Sequence, residues 1–154
     1  MNILISACLM GLCTRYDGGA NPVDITAFAE HTLIPVCPEQ LGGLPTPRSP
    51  AERQKDHRVA DAQGKDVSAA FEGGAQQALR VYTICGCGCA LLKARSPSCG
   101  AGWIYDGTFS GILVPGEGVL AELLKTHGVP VFTEDTLDAM EAHIRRAKRD
   151  NHHE

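Results

Sequence analysis

Short apolar runs alternate with longer amphipathic stretches along this chain. Residues 2–7, Asn-Ile-Leu-Ile-Ser-Ala, form a run of the length and content of a strand buried on both faces. Residues 33–37, 89–94 and 129–133 repeat the signal, and 57–61 reads as a further short strand turning at Gly64. Between them the period lengthens. Residues 66–82 read as a helix with Ser68 near its start and Gly73-Gly74 weakening its middle. Residues 117–127 place Val119, Leu120, Leu123 and Leu124 on one helical face, and Gly128 stops the helix. Residues 136–148 form a last amphipathic helix with Leu137, Met140, Ala142 and Ile144 on its apolar side. The basic end of that helix, Arg145, Arg146, Lys148 and Arg149, suits the helix dipole. Pro22 and Asp24 open a short helix running to His31.

The loops carry equally clear signals. Residues 11–20 are a loop with Asp17-Gly18-Gly19 as its turn. Residues 38–54 hold Pro38, Pro45, Pro47 and Pro50 around Gly42-Gly43, which predicts a stiff loop without regular helix. Long ordered loops are uncommon unless they serve a function. Residues 103–114 read as loop carrying short strands. Alternating β and α elements predict an α/β fold, a three-layer sandwich around a mainly parallel, Rossmann-like sheet of four to five strands. One domain should span residues 1–150, with a frayed tail at 151–154.

Composition narrows the function. Hydrophobic residues make up 44% of the 154 and charged residues 21%, ordinary for a globular domain. The net charge of −4 provides no basic field, so nucleic acid is not expected as a partner and a small, weakly charged molecule fits better. No apolar run approaches a membrane span. The chain enters its first strand without a secretory signal, which predicts a reducing cytoplasm. There, seven cysteines point to metal binding or catalysis, and an odd count cannot pair fully within one chain.

Three of the cysteines follow strands. Cys8 comes after the first, Cys37 after the second, and Cys99 in the loop beyond the third. Loops leaving the carboxyl ends of parallel strands meet on one edge, where ligands bind. Any one of these thiols alone reads as a buried structural cysteine. Together they suit an iron–sulfur cluster, or zinc with one open position. Polar groups surround them: Glu39 two residues after Cys37, Ser96 and Ser98 before Cys99, Arg15 and Asp17 after Cys8, and Arg48, Ser49 and Glu52 in the proline-rich loop. A carboxylate there suits acid–base work and a serine hydroxyl suits proton transfer or substrate positioning. Asp17 and Asp106, each before glycine, also suit plain turn chemistry.

A second group, Cys85-Gly86-Cys87-Gly88-Cys89, puts three thiols on one face if extended. It could bind a soft metal, or be small buried residues entering the third strand. It lies at the amino end of that strand, the wrong edge for the site above. Cys13 is a loop thiol, and His57, His127 and His143 are isolated. No dinucleotide fingerprint, P-loop, G-x-S-x-G or H-E-x-x-H is present.

Several stretches recur together in one known family. They are Ser6-Ala7-Cys8-Leu9, Arg15-Tyr16-Asp17-Gly18, Cys37-Pro38-Glu39 with Leu41-Gly42-Gly43-Leu44-Pro45-Thr46-Pro47-Arg48, Lys93-Ala94-Arg95-Ser96-Pro97-Ser98-Cys99-Gly100, and Tyr105-Asp106-Gly107-Thr108-Phe109. On these blocks the chain resembles the thiouracil desulfidase family over nearly its whole length. The resemblance implies a 4Fe–4S cluster held by Cys8, Cys37 and Cys99, with the fourth iron open to the sulfur of a thiolated nucleobase or nucleotide. It also implies acid–base roles for Glu39 and Ser96. Arg15, Asp17, Arg48 and Ser98 are then the candidate substrate contacts. The Cys85–Cys89 run is not part of the family pattern. Two rival readings of the same residues are a thiol-based redox enzyme and a non-enzymatic zinc or iron–sulfur module.

Overall fold

The computed structural model describes residues 1–152. In chain order the elements are β1 (Asn2–Ser6), β2 (Thr32–Val36), α1 (Pro38–Leu41), β3 (Ala51–Arg53), β4 (Val59–Asp61), α2 (Ser68–Ile84), β5 (Cys87–Leu92), β6 (Trp103–Tyr105), β7 (Leu113–Pro115), α3 (Val119–Thr126), β8 (Val131–Thr133) and α4 (Leu137–Asn151). Four strands form one sheet in the order β2-β1-β5-β8, and every pairing in it is parallel. The fold is therefore α/β with an all-parallel central sheet of four strands. The antiparallel pairs β3-β4 and β6-β7 lie outside it.

Alternation along β1 sorts the core into two halves. Leu4 faces one side with Ala90 and Leu92 of β5, against Ala75 and Ala78 of α2 and Leu120 and Leu124 of α3. Ile3 and Ile5 face the other side with Cys89 and Leu91, against Phe28 and against Met140 and Ile144 of α4. Each fully buried Leu or Ile contributes about 1.5–3 kcal/mol. Helices cover both faces, as the near-continuous apolar strands require.

Chain order is what makes a site. From β1 the chain moves outward to β2, then crosses back to β5 on the other side of β1. Strand order reverses there, and the loops after β1 and β5 diverge around a crevice at the carboxyl edge.

Several expectations need correction. The stretch after β2 does contain a helix, α1, because Pro38 sits at its first position, where a fixed φ helps and a missing N–H costs nothing. The expected helix at 22–31 is only a short 3-10 turn at Thr26–Phe28, since Asp24 Oδ1 accepts from the Thr26 amide and ties the chain into a local turn. Ala51–Arg53, read as loop, pairs with β4. Gly74, read as a weak point, is where α1 crosses α2. A side chain there would collide with the Pro38 carbonyl, so the glycine sets how near α1 can come. Asn151 belongs to α4 and His152 is its C-cap, while the last two residues of the expected tail, 153–154, lie outside the described residues.

Candidate active site

At the carboxyl edge of the sheet a cavity of about 480 Å³ is lined by Cys8, Cys37 and Cys99 together. Its size is that of a small-molecule site. Cys8 lies in the 3-10 turn Ala7–Met10 that continues β1. Cys37 is the N-cap of α1. Cys99 is carried by the loop after β5, which closes through the Gly100 amide bonding the Ser96 carbonyl at 2.8 Å. That loop is held from outside by α3. The amides of Val119 and Leu120 donate to the carbonyls of Pro97 (2.9 Å) and Ser98 (2.8 Å). Free N–H groups at the start of the helix thereby fasten the cysteine loop. Gly118 permits the approach, because a side chain there would strike the Ser98 backbone.

The neighbours of each thiol are specific. The Arg15 guanidinium donates to Asn21 Oδ1 at 2.7 Å, which leaves the Asn21 amide NH₂ for the Cys8 sulfur. Lys93, paired with Glu134 at 2.9 Å, lines the cavity near Cys8. Cys37 Sγ lies 3.8 Å from the Thr14 carbonyl and 4.0 Å from Arg48 Nη2. Cys99 is buried, with the Ser98 hydroxyl 3.7 Å from its sulfur.

Glu39 and the two serines form a hydrogen-bond chain. Ser96 Oγ accepts from the amides of Ser98 (3.2 Å) and Cys99 (3.1 Å), so its own proton points at Ser98 Oγ, 3.0 Å away. Ser98 Oγ in turn donates to Glu39 Oε2 at 3.0 Å. The other carboxylate oxygen, Glu39 Oε1, accepts from Arg48 Nε at 3.1 Å. Arg48 uses its remaining donors on Thr46 Oγ1 (2.8 Å), the Pro45 carbonyl (3.3 Å) and the Thr14 carbonyl (2.9 Å). With side-chain exposures of 6% and 15%, Arg48 and Glu39 are a largely buried pair.

The candidate residues are not equivalent in position. Arg15, Glu39, Arg48, Ser96 and Ser98 line the cavity with the three cysteines. Asp17 does not. Its carboxylate pairs with Arg15 at 3.2 Å and accepts from the Gly19 amide at 2.9 Å, the turn chemistry that Asp-Gly suggests. Asn21, Lys93, Tyr105 and Phe109 also line the cavity, and the sequence assigns them no role. Lys93, Tyr105 and Phe109 lie in the blocks shared with the family, whereas for Asn21 the signal is its place in the loop leaving β1.

The Cys85–Cys89 segment departs from expectation. Its thiols do not share a face. Asn2 pairs with Cys87 but Ile3 pairs with Cys89, so Gly88 is an extra residue in the strand. Cys87 therefore packs on the α2–α3 side while Cys89 is buried on the α4 side. As expected, the segment opens β5 at the amino edge.

The donor set fits a cluster better than a single ion. Among the described residues no three Cys, His, Asp or Glu side chains converge as ligands to one metal ion. The thiols of Cys8, Cys37 and Cys99 instead face a common volume, and cluster ligands bind separate irons. Thiol catalysis by the Cys85–Cys89 run is disfavoured by its surroundings. Burial pushes the Cys87 and Cys89 thiols up to about 11. A nucleophilic cysteine needs the reverse.

Comparison with known proteins agrees. A profile of the 2-thiouracil desulfurase family matches residues 3–136. An uncharacterized protein of Bacillus subtilis (strain 168), YbbK, is 38% identical over 147 residues, covering 88% of this chain and 97% of its own length. A solved structure of a [4Fe-4S]-dependent thiouracil desulfidase, TudS, superposes with a TM-score of 0.85 at 43% identity, covering 94% of this chain and 97% of that one. The match runs through both strand-edge loops and the cysteine loop after β5, and the chain belongs to the 2-thiouracil desulfurase family.

Proposed function

We propose that the protein is an iron–sulfur-dependent desulfidase that converts a thiolated nucleobase such as thiouracil into its oxo form, releasing sulfide without net redox change. The observation that carries this reading is the single cavity in which three cysteines from three loops face the Glu39–Ser98–Ser96 chain. Cys8, Cys37 and Cys99 hold a 4Fe–4S cluster. When bound, its one iron without a protein ligand is a soft Lewis acid suited to a thiocarbonyl sulfur.

The protein supplies the proton chemistry. Glu39 takes a proton from the attacking water at Oε2, the oxygen that faces Ser98. Arg48 holds the other oxygen and fixes the carboxylate plane. Once Glu39 is protonated, both serine O–H groups can reverse. Ser98 then accepts from Glu39 and donates to Ser96, where its hydroxyl displaces the longer of the two amide bonds, that from the Ser98 N–H at 3.2 Å, and Ser96 Oγ delivers a proton to the ring nitrogen or the departing sulfur. Asn21 and Lys93 stabilise negative charge at Cys8. The net charge and the cavity volume favour a free base or nucleotide over RNA.

The test is anaerobic reconstitution with iron and sulfide, followed by assay of uracil and sulfide formed from thiouracil. Glu39→Gln should keep the visible absorption of the cluster and lose turnover on the order of 100-fold. A brown, fully loaded protein that releases no sulfide would remove the assignment. So would a metal-free protein that is fully active.

A further inference from the structure

Aromatic side chains line the same cavity, and the acid–base chemistry gives them no role. Tyr16, Tyr105 and Phe109 are all part of its wall. Phe109 differs from the two tyrosines in its backbone. Its φ is 57°, in the left-handed region that bulky residues adopt only when something holds them there.

Glu52 holds it. Glu52 stands on β3, and its Oε1 accepts from the amides of both Gly107 (3.0 Å) and Phe109 (3.1 Å). Two converging amides around one anionic oxygen make a backbone nest. Neighbouring bonds fasten the same turn. Gln54 Nε2 donates to the Gly107 carbonyl at 3.2 Å, and Asp106 Oδ1 accepts from the Thr108 amide at 2.9 Å. The turn is docked on β3 from one side and tied internally from the other.

Core packing does not account for this arrangement. Phe109 remains 40% exposed, so the left-handed backbone is not offset by burying the ring. A rigid aromatic surface that faces a cavity and is still open to solvent suits a planar, unsaturated ring, which stacks on it with little loss of side-chain freedom.

We infer that Phe109, fixed by Glu52, is the stacking surface that recognises the pyrimidine ring of the substrate. The inference rests on the desulfidase reading for the identity of that ring. Phe109 touches substrate, and Glu52 is a positioning residue acting through the turn. The site therefore selects a thiocarbonyl carried on an aromatic heterocycle over an acyclic one.

Two probes separate ring recognition from sulfur recognition. Uracil has the ring without the sulfur, and thiourea has a thiocarbonyl without the ring. Binding of each to the anaerobic holoprotein is measured by calorimetry, with KM and kcat for 2-thiouracil alongside. Phe109→Leu should weaken uracil binding about ten-fold or more and raise KM similarly, with kcat little changed and thiourea binding unaltered. Phe109→Tyr should bind uracil as the parent does. Glu52→Ala, with the phenyl intact, should fall between them. Unchanged uracil affinity in Phe109→Leu would overturn the inference. So would equal losses for uracil and thiourea, or a parent protein that does not bind uracil at all. A parent that binds uracil through Phe109 yet releases no sulfide from thiouracil would leave the stacking role standing and remove the desulfidase reading.

Discussion

The Ser98 hydroxyl donates to Glu39 Oε2 at 3.0 Å, joining two residues 59 positions apart. It makes Ser98 the middle of a three-residue chain rather than a neighbour of it, since Ser96 reaches Glu39 only through Ser98. Ser98→Ala should therefore lower turnover as far as Ser96→Ala, on the order of ten-fold or more, with cluster absorption intact. The comparison of the two rates checks this. A normal rate in Ser98→Ala beside a slow Ser96→Ala would mean that the proton does not travel through Ser98.

Arg48 holds Glu39 in a largely buried pair and also ties down the Thr14, Pro45 and Thr46 segments. Arg48→Met leaves that carboxylate without its cation, a change that costs roughly 3 kcal/mol. A lower melting temperature and slower turnover are expected together. Arg48→Lys restores charge but not the fork of donors, so it should recover only part of the stability. Thermal melts of both variants decide the point, and an unshifted Arg48→Met would show that the pair has no structural weight.

The adjacent glycines of α2 should respond in opposite directions. A side chain at Gly74 meets the Pro38 carbonyl, whereas one at Gly73 meets nothing within 4 Å. Gly74→Ala should lose about 1–3 kcal/mol by forcing α1 away. It should also reduce cluster loading, because Cys37 caps α1 and Glu39 lies on it. Gly73→Ala should gain about 0.5–1 kcal/mol of helix stability. Denaturant titrations give both signs directly.

Much of this was legible in the chain. The apolar runs at 2–7, 33–37, 89–94 and 129–133 correspond to β1, β2, β5 and β8; the central strands β1 and β5 are continuous and apolar because both their faces are buried, whereas β2 at the sheet edge leaves Thr32 and Pro35 exposed. Cys8, Cys37 and Cys99 could be gathered on one edge from that pattern alone. What stayed hidden depends on tertiary geometry. The extra residue at Gly88, which parts Cys87 from Cys89, shows only in the pairing with β1. The contact between Glu39 and Ser98, and that between Glu52 and Phe109, each span more than fifty positions. No local spacing encodes them.

The thiols should differ sharply in reactivity. Burial pushes Cys89 up to about 11, so only about one part in ten thousand is thiolate at neutral pH. Cys13 is exposed. In metal-free protein treated briefly with iodoacetamide, mass spectrometry should find Cys13 labelled well before Cys89. Rapid labelling of Cys89 would revive a thiol-based chemistry for the Cys85–Cys89 run.

The ligand set is tested most directly by counting iron and recording visible absorption after anaerobic reconstitution of six single Cys→Ser variants. Cys8→Ser, Cys37→Ser and Cys99→Ser should each lose most of the iron, the cluster absorption and sulfide release from thiouracil, because in the proposed site each removes one of three protein ligands. Changes at Cys85, Cys87 and Cys89 should leave all three readouts largely intact. A Cys37→Ser protein that keeps its cluster and its activity, or a Cys87→Ser protein that loses both, would contradict the assignment of the site.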